Sequence, residues 1–326
     1  MRRIHSYQTL TKREFHLIHQ IKERTSTGNL DNISRTEAYF SYYKQHHEIP
    51  WAFLASMVSR NAGWNMCDLE GAWFPRVIDP ELRKSLFLTY ERANWLIFQD
   101  AFPQLLLYHY STKINEPMFH LLKFFHVSSF MEKEWNRFWH HKNIERLMIA
   151  LIINEQNVIQ KPVIKHPIYR KRVFHSFLFY VQDWFHFSTV LFPTCEGELY
   201  GASVYGFQSI DNRINLGKRL ASILFHPNLY ASFYDFSKRT VHTGSRNDYE
   251  RYLHTRHQRT TPFLRTTYPV IDHHIREFED WSKKRKVAKK WFAEPVKHKH
   301  PIHINDWFEK KQKQLHSSIL LKEILT

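Results

Sequence analysis

Residues 50–71 read PWAFLASMVSRNAGWNMCDLEG, an apolar helix pattern that ends in the polar residues Ser59, Arg60, Asn61, Asn65 and Asp68. A helix that is apolar on most sides is typical of a protein interior, where polar side chains need partners. Three more stretches combine apolar runs or turn signals with polar groups: ANWLIFQDAFPQLL (93–106), LMIALIINEQN (147–157) and HTGSRNDY (242–249). The pattern predicts several buried helices that bring polar side chains together.

Composition favours helices over sheets. The 326 residues include only 8 glycines, fewer than a turn-rich fold or a Gly-rich phosphate loop would need. Aromatic residues make up 16% of the chain, which disfavours disorder. We predict an all-α fold: an irregular multi-helix bundle of about ten helices, with a basic peripheral C-terminal tail.

Capping signals and apolar periodicity define the expected elements. TKRE (11–14), SRTE (34–37) and SFME (129–132) each fit a capping box at a helix start. Helices are predicted over 12–24, 35–46, 50–63, 81–99, 103–111, 117–125, 130–140, 143–160, 167–187, 212–225, 228–238 and 246–257. Residues 196–209 could form a hairpin, but a loop between helices is the preferred interpretation. We divide the chain into one helical domain (1–282) and a basic appendage (283–326).

Arg60 lies on a face of small residues. Ala52, Ser56, Ser59 and Gly63 share that face, which favours close packing against another helix with Arg60 as a tie. The alternative is that Arg60 and Asn61 bind a ligand. The sequence leaves both open, with packing slightly preferred.

Two acidic residues sit in apolar surroundings. Glu155 comes just after Asn154, which follows seven successive apolar residues, so Glu155 is expected to be paired, hydrogen-bonded or protonated if it is buried. Pro103 should break or kink its helix, and Asp100 could then cap the resumed helix. Both, with Asp68, are acid–base candidates, although a structural ion pair or cap is the more ordinary interpretation.

HTGSRNDY is the most motif-like segment. Ser245 and Asp248 suit a helix start, and Gly244 allows close backbone approach. With Arg246 and His242, the free N–H groups could bind an anion. The simpler alternative is a cap, with Arg246 tied to Asp68, Asp100 or Glu155.

The C-terminal appendage carries much of the net charge of +16. Residues 283–326 contain 12 Lys and Arg against four Asp and Glu. Basic residues beside an aromatic ring could contact nucleic acid or an anionic membrane. The residues in question are Lys283, Lys284, Arg285, Lys286, Lys289, Lys290 and Trp291.

Several classes of function lack a signature. No nucleophile elbow, Walker loop or zinc-protease motif is present, and no cofactor is predicted. Histidine pairs such as His46–His47 lack partners at ligand spacing, so no metal site is expected. No transmembrane stretch or signal peptide is evident, which predicts a cytoplasmic protein.

Several segments resemble an uncharacterised family. SRTEAYFSYY, WAFLASMVSRNAGWNMCDL, ERANWLIFQDAFPQLLLY, ALIINEQ and HTGSRNDY are similar to the YppC-like family of Bacillus-type bacteria, a family of unknown function. The resemblance covers about residues 30–255 and implies a bacterial intracellular protein. It transfers no substrate, reaction or site residue.

The leading hypothesis is a buried polar pocket for a small anionic ligand. Its binding residues would be Arg60, Asn61, His242, Ser245 and Arg246, with Glu155, Asp100 and Asp68 as the candidates for any catalysis. The rival hypothesis is a non-enzymatic module that contacts nucleic acid or membrane through its tail.

Overall fold

The computed structural model describes residues 10–167, 189–203, 206–254, 259–275, 278–293 and 303–325. Its α-helices are α1 (Lys12–Gly28), α2 (Asn32–Tyr43), α3 (Trp51–Asp68), α4 (Pro80–Ile114), α5 (Ser129–His141), α6 (Ile144–Val158), α7 (Ile210–Leu224), α8 (Tyr230–Arg239), α9 (Asn247–Glu250), α10 (Leu264–Thr267), α11 (Trp281–Lys284) and α12 (Asn305–Leu325). Shorter 3₁₀ turns lie at Phe74–Arg76, Phe119–Phe125 and Lys289–Phe292. The helix predicted over 167–187 falls almost entirely outside the described residues.

The protein is a multi-helix bundle, which confirms the predicted fold class. One large apolar core joins α1 to α8 and includes the side chains of Trp51, Trp64 and Trp135. Among the described residues, the β-structure amounts to one antiparallel hairpin, β1 (Thr189–Pro193) and β2 (Leu199–Ser203), with one isolated bridge. The preference for a loop over 196–209 was therefore wrong in part, because residues 199–203 pair with 189–193.

Polar caps set most helix starts, as the sequence indicates. Thr11 and Glu14 form the predicted reciprocal capping box of α1. At α2 and α5 the capping residue is instead Asp31 or Ser128, slightly before the predicted one. The cap of α7 is Ser209, whereas Asp211 was the residue expected from the sequence to cap a helix beginning near Asn212. These shifts are small because an acceptor side chain two or three residues before a free N–H satisfies it equally well.

Pro103 does not break α4, which continues from Pro80 to Ile114. The expected division into helices 81–99 and 103–111 was wrong, and Asp100 caps no helix start. Phe98, Phe102 and Leu105 are all buried on either side of the proline. Their packing outweighs the roughly 3 kcal/mol that proline costs inside a helix.

Small residues bring α3 close to α2, as the packing interpretation predicted. The Ser56 hydroxyl donates to the Thr36 carbonyl at 3.0 Å, and the Thr36 hydroxyl donates to Ser59 Oγ at 2.8 Å. A Cβ on Gly63 would stand 2.3 Å from Asn32 Oδ1. Only glycine fits there, so the end of α3 is held tightly against the start of α2.

The C-terminal residues pack partly against the body. Trp291 is 4% exposed, and its indole donates to Asp211 at 2.6 Å. Along α12, Phe308, Leu315 and Ile319 are buried. Leu315 and Ile319 form a cluster with Phe74 and Ile78. This helix therefore forms one wall over the residues that follow α3.

Candidate functional site

A buried ion pair joins the end of α3 to the 242–249 segment. Arg246 Nε donates to Asp68 Oδ2 at 2.6 Å, and Nη2 lies 2.5 Å from the same oxygen. Asp68 is 4% exposed and Arg246 is 7% exposed. Two of the predicted site residues thus meet directly, in the pairing that the sequence offered as the simpler alternative.

Burial and charge oppose each other at this pair. Burial raises the pKa of Asp68 to about 6, although Arg246 pulls it down. Burial disfavours the Arg246 cation, but the Asp68 carboxylate raises the pKa of Arg246 overall. The mutual attraction of the two charges therefore opposes the effect of burial on each of them.

The pair forms one end of a cavity of about 210 Å³. Most of the wall is apolar, from Trp73, Phe74, Leu253, Phe308 and Leu315. The remaining lining residues are Asp68, Gly71, Ala72, Arg246, Glu250, Thr260, Thr261, Glu309, Gln312, Lys313 and His316. Phe308 also packs over the Arg246 guanidinium, 5.7 Å from its ring centroid. Helix α12 and the buried ion pair therefore line the same space.

Most charges around the cavity are already paired. Asp68 neutralises Arg246, and Glu309 lies 3.8 Å from Lys313. Arg246 Nη1 makes no hydrogen bond to any described residue. Burial raises the pKa of Glu250, whose carboxyl group also makes none within the described part of the chain. Two further lining donors, Trp73 Nε1 and Gln312 Nε2, are buried without a hydrogen-bond partner among the described residues. The cavity thus offers several unpaired donors and one carboxyl group whose pKa is raised by burial.

Arg60 is buried beside this region but does not line the cavity. Its Nη2 donates to the carbonyls of Ser237 (3.2 Å) and Thr240 (2.9 Å) at the end of α8. Its Nε and Nη1 are buried without a hydrogen-bond partner among the described residues. Burial lowers the pKa of Arg60 to about 10, so it remains charged at pH 7. The guanidinium caps a helix C-terminus, where the helix dipole favours a cation.

His242 belongs to a closed network at the α2–α3 contact. Its Nδ1 lies 3.2 Å from Asp248 Oδ2, and its Nε2 lies 2.7 Å from Asn32 Oδ1. Asp248 also accepts from Trp64 at 3.1 Å. Burial lowers the pKa of His242 despite the Asp248 carboxylate. With no exposed side-chain surface, His242 ties three segments together and cannot touch a ligand in this structure.

Ser245 and Asn61 likewise hold backbone segments in place. The Ser245 hydroxyl lies 2.7 Å from Thr261 Oγ1. Residues 247–250 form a single short helix in place of the predicted 246–257, so no long helix begins at Ser245. The Asn61 amide donates to Leu191 O and accepts from Leu191 N, both at 2.7 Å. It thereby anchors β1 to α3.

Asp100 and Glu155 lie in a second cluster between α4 and α6. Asp100 Oδ2 accepts from Gln104 at 2.7 Å and from Asn154 at 2.5 Å. Gln156 donates to Glu155 at 3.0 Å. Burial raises the pKa of each carboxyl group to about 7. Neither residue lines the cavity, so Asp68 is the one catalytic candidate of the three that does.

The predicted tail contacts divide into exposed cations and a buried ring. Lys283, Lys284 and Lys290 have side chains 73%, 74% and 67% exposed, and each is ion-paired with an acidic residue. Arg285, Lys286 and Lys289 are also exposed. Trp291 is buried, so stacking on nucleic-acid bases would require it to leave its place.

The chain matches the family described as "Protein of unknown function (DUF2515)" over residues 27–309. It is 49% identical over 310 residues to the uncharacterised protein YppC of Bacillus subtilis (strain 168), covering 95% of this chain and 96% of that protein. The chain belongs to this family. No solved structure matches it.

Two further structural findings concern metal ions and membrane spans. Within the described residues, no group of three or more His, Cys, Asp or Glu side chains is arranged to hold a metal ion. None of the helices in that part of the chain combines the length and apolarity needed to cross a bilayer.

Sequence reasoning missed the residues that α12 contributes to the cavity. Apart from SSILLKEIL (317–325), which could dock on the body as a short amphipathic helix, residues 283–326 were judged by their charge. Phe308, Leu315 and Ile319 nevertheless have a helical spacing of seven and four. That periodicity was the available signal for a packed helix. Glu250 was missed because it falls just past HTGSRNDY and has no distinguishing pattern.

Proposed function

We propose that this protein binds a small amphipathic anion in the cavity between the Asp68–Arg246 pair and α12. The observation that carries the proposal is the cavity itself, with an apolar wall and a guanidinium nitrogen that has no partner at one end. An apolar cavity of about 150 Å³ is enough to hold benzene. The volume here, about 210 Å³, therefore suits a ring-sized body with one small head group.

Arg246 would recognise the head group. Its Nη1 can donate to a ligand carboxylate while Nε and Nη2 stay on Asp68, so the buried ion pair survives binding. Glu250, whose pKa is raised by burial, would take up a proton and donate a second hydrogen bond. Binding is therefore coupled to proton uptake and should tighten as the pH is lowered. In this proposal Asp68 is the acid–base candidate for any reaction, and the protein acts in the cytoplasm.

A matched series of ligands tests the proposal by calorimetry: benzoate, benzamide and benzylamine have similar shapes and differ in charge. Benzoate has about 9 heavy atoms. If each contributes roughly 0.5 kcal/mol, the binding free energy is about 4 kcal/mol, which corresponds to a Kd on the order of 1 mM. We expect benzoate to bind best, and Leu253→Trp, which fills the cavity, to abolish binding. Phe263→Trp, at a residue 38% exposed and outside the cavity, is the control. Equal binding of benzylamine, or of benzoate to Leu253→Trp, would refute the proposal.

The second candidate function is contact between the exposed basic residues of 283–290 and a polyanion. It is supported by the exposure of Lys283, Lys284 and Lys290. Changing these three lysines to Gln should weaken salt-sensitive binding to RNA or to phosphatidylserine vesicles. Unchanged binding by the triple variant would exclude this surface.

A further inference from the structure

A chain of three titratable side chains links the α2–α3 loop to α4, away from the cavity residues. His46 Nδ1 lies 3.0 Å from Glu48 Oε1, and His46 Nε2 lies 2.8 Å from His109 Nδ1. Because a carboxylate can only accept, His46 donates from Nδ1. A neutral His46 then accepts at Nε2 from the Nδ1–H of His109.

Aromatic rings hold His46, the middle residue of the Glu48–His46–His109 relay, in place. His46 is 8% exposed and stacks on Tyr42 with a centroid distance of 4.7 Å and an interplanar angle of 27°. Tyr108 meets the same ring edge-on at 5.5 Å. The imidazole of His46 is thereby held in one orientation, as a supporting group in a catalytic relay must be.

His109 is the outer member and is partly exposed. Its Nδ1 is engaged by His46, while its Nε2 has no hydrogen-bond partner in the described part of the chain. Burial, together with the charges of Lys113, His46 and Arg24, lowers the pKa of His109 to about 4. The ring is therefore neutral at pH 7, and its Nε2 lone pair is available as a base or nucleophile.

Two exposed cations flank His109. Lys113 is one turn further along α4, and Arg24 on α1 donates to the hydroxyl of Tyr110 at 3.1 Å. Both act on His109 electrostatically. A positive field beside a neutral imidazole attracts anions that carry an electrophilic centre, and phosphoryl groups are such anions.

We propose that His109 Nε2 accepts a phosphoryl group from a small acyl phosphate or phosphoramidate. Arg24 and Lys113 attract the phosphoryl oxygens, and His46 with Glu48 orients and supports the ring. The proposal does not depend on the cavity: no residue of the relay lines it.

The transfer balances with phosphoramidate as donor. The donor reacts as its N-protonated form, H₃N⁺–PO₃²⁻. The Nε2 lone pair of His109 forms the new N–P bond, and the P–N bond of the donor breaks, its electron pair leaving with neutral ammonia. The proton on His109 Nδ1 passes to His46 Nε2. His46 becomes an imidazolium that donates to Glu48, and His109 carries the phosphoryl group as a neutral ring.

The test is incubation of the full-length protein with phosphoramidate at neutral pH, followed by ³¹P NMR and peptide mass spectrometry without acid. We expect the wild type to be modified at His109, and we expect total phosphorylation of His109→Gln to be slower by on the order of 10²-fold. His46→Gln and Glu48→Gln should slow it, and Glu48→Asp should largely restore the rate. His120→Gln is the matched control, because His120 also pairs with a carboxylate, Glu14, at 2.7 Å.

Circular dichroism establishes that each variant is folded before rates are compared. The result that overturns the proposal is phosphorylation of His109→Gln at the wild-type rate, or modification of the wild type spread over exposed histidines such as His120. A Glu48→Gln variant as fast as the wild type would show that the relay does not support His109.

Discussion

Replacing Asp100 with Asn should stabilise the protein at alkaline pH and leave it unchanged near pH 4. Asp100 Oδ2 accepts two hydrogen bonds, from Gln104 and Asn154. The orientations of both donors are fixed by other bonds, since Gln104 Oε1 accepts from Trp135 and Asn154 Oδ1 accepts from Ser128. An Asn side chain can accept the same two bonds through its own oxygen and carries no charge.

The magnitude follows from the pKa of Asp100, raised by burial from 3.8 to about 7. The native state therefore binds more protons than the unfolded state between about pH 4 and pH 7, and wild-type stability falls as pH rises through that window. A pKa difference of about 3 units, at about 1.36 kcal/mol per unit, lowers the free energy of unfolding of the wild type by at most about 4 kcal/mol. Asp100→Asn lacks this loss, so by pH 8 its free energy of unfolding should exceed that of the wild type by about 2–4 kcal/mol.

Urea unfolding at pH 4.5, 6 and 8, followed by circular dichroism, measures the difference. Asp272→Asn is the control, because the side chain of Asp272 is 84% exposed and its substitution should give no comparable pH dependence. A destabilised Asp100→Asn at pH 8, or the same difference at all three pH values, would refute the assignment of Asp100 as a buried carboxyl group that resists ionisation.

Two further substitutions address the other buried contacts. Arg246→Met should cost about 3–5 kcal/mol by leaving the buried Asp68 carboxyl group without its partner, and adding Asp68→Asn should recover much of that loss in a double-mutant cycle by urea unfolding. Additive losses would contradict the ion pair. Gly63→Ala should lower the free energy of unfolding by about 1–3 kcal/mol, because its Cβ would stand 2.3 Å from Asn32 Oδ1 and 2.7 Å from His242 Nε2. An unchanged melting temperature would contradict the close α2–α3 packing.

Local patterns in the sequence predicted most of the helices. Thr11 and Glu14 cap α1 as expected, and the apolar run before Asn154 is buried on all sides. The errors arose where tertiary packing outweighs a local signal. Pro103 lies inside a continuous helix because its neighbours are buried, and residues 199–203 pair with a strand that has no strong sequence signature.

The candidate site was predicted in part. The sequence singled out Asp68 and Arg246 and offered their pairing as one alternative. It could not show that Asp100 and Glu155 form a separate cluster, because sequence spacing does not report which helices face each other. It also could not show that α12 covers the ion pair or that His46 meets His109, since those contacts cross long sequence separations.

A crystal structure of the protein soaked with benzoate tests the central claim most directly. We predict density for one benzoate in the cavity, with its ring against Phe74 and Phe308 and its carboxylate within hydrogen-bonding distance of Arg246 Nη1. An empty cavity at saturating benzoate, or a carboxylate directed away from Arg246, would contradict it.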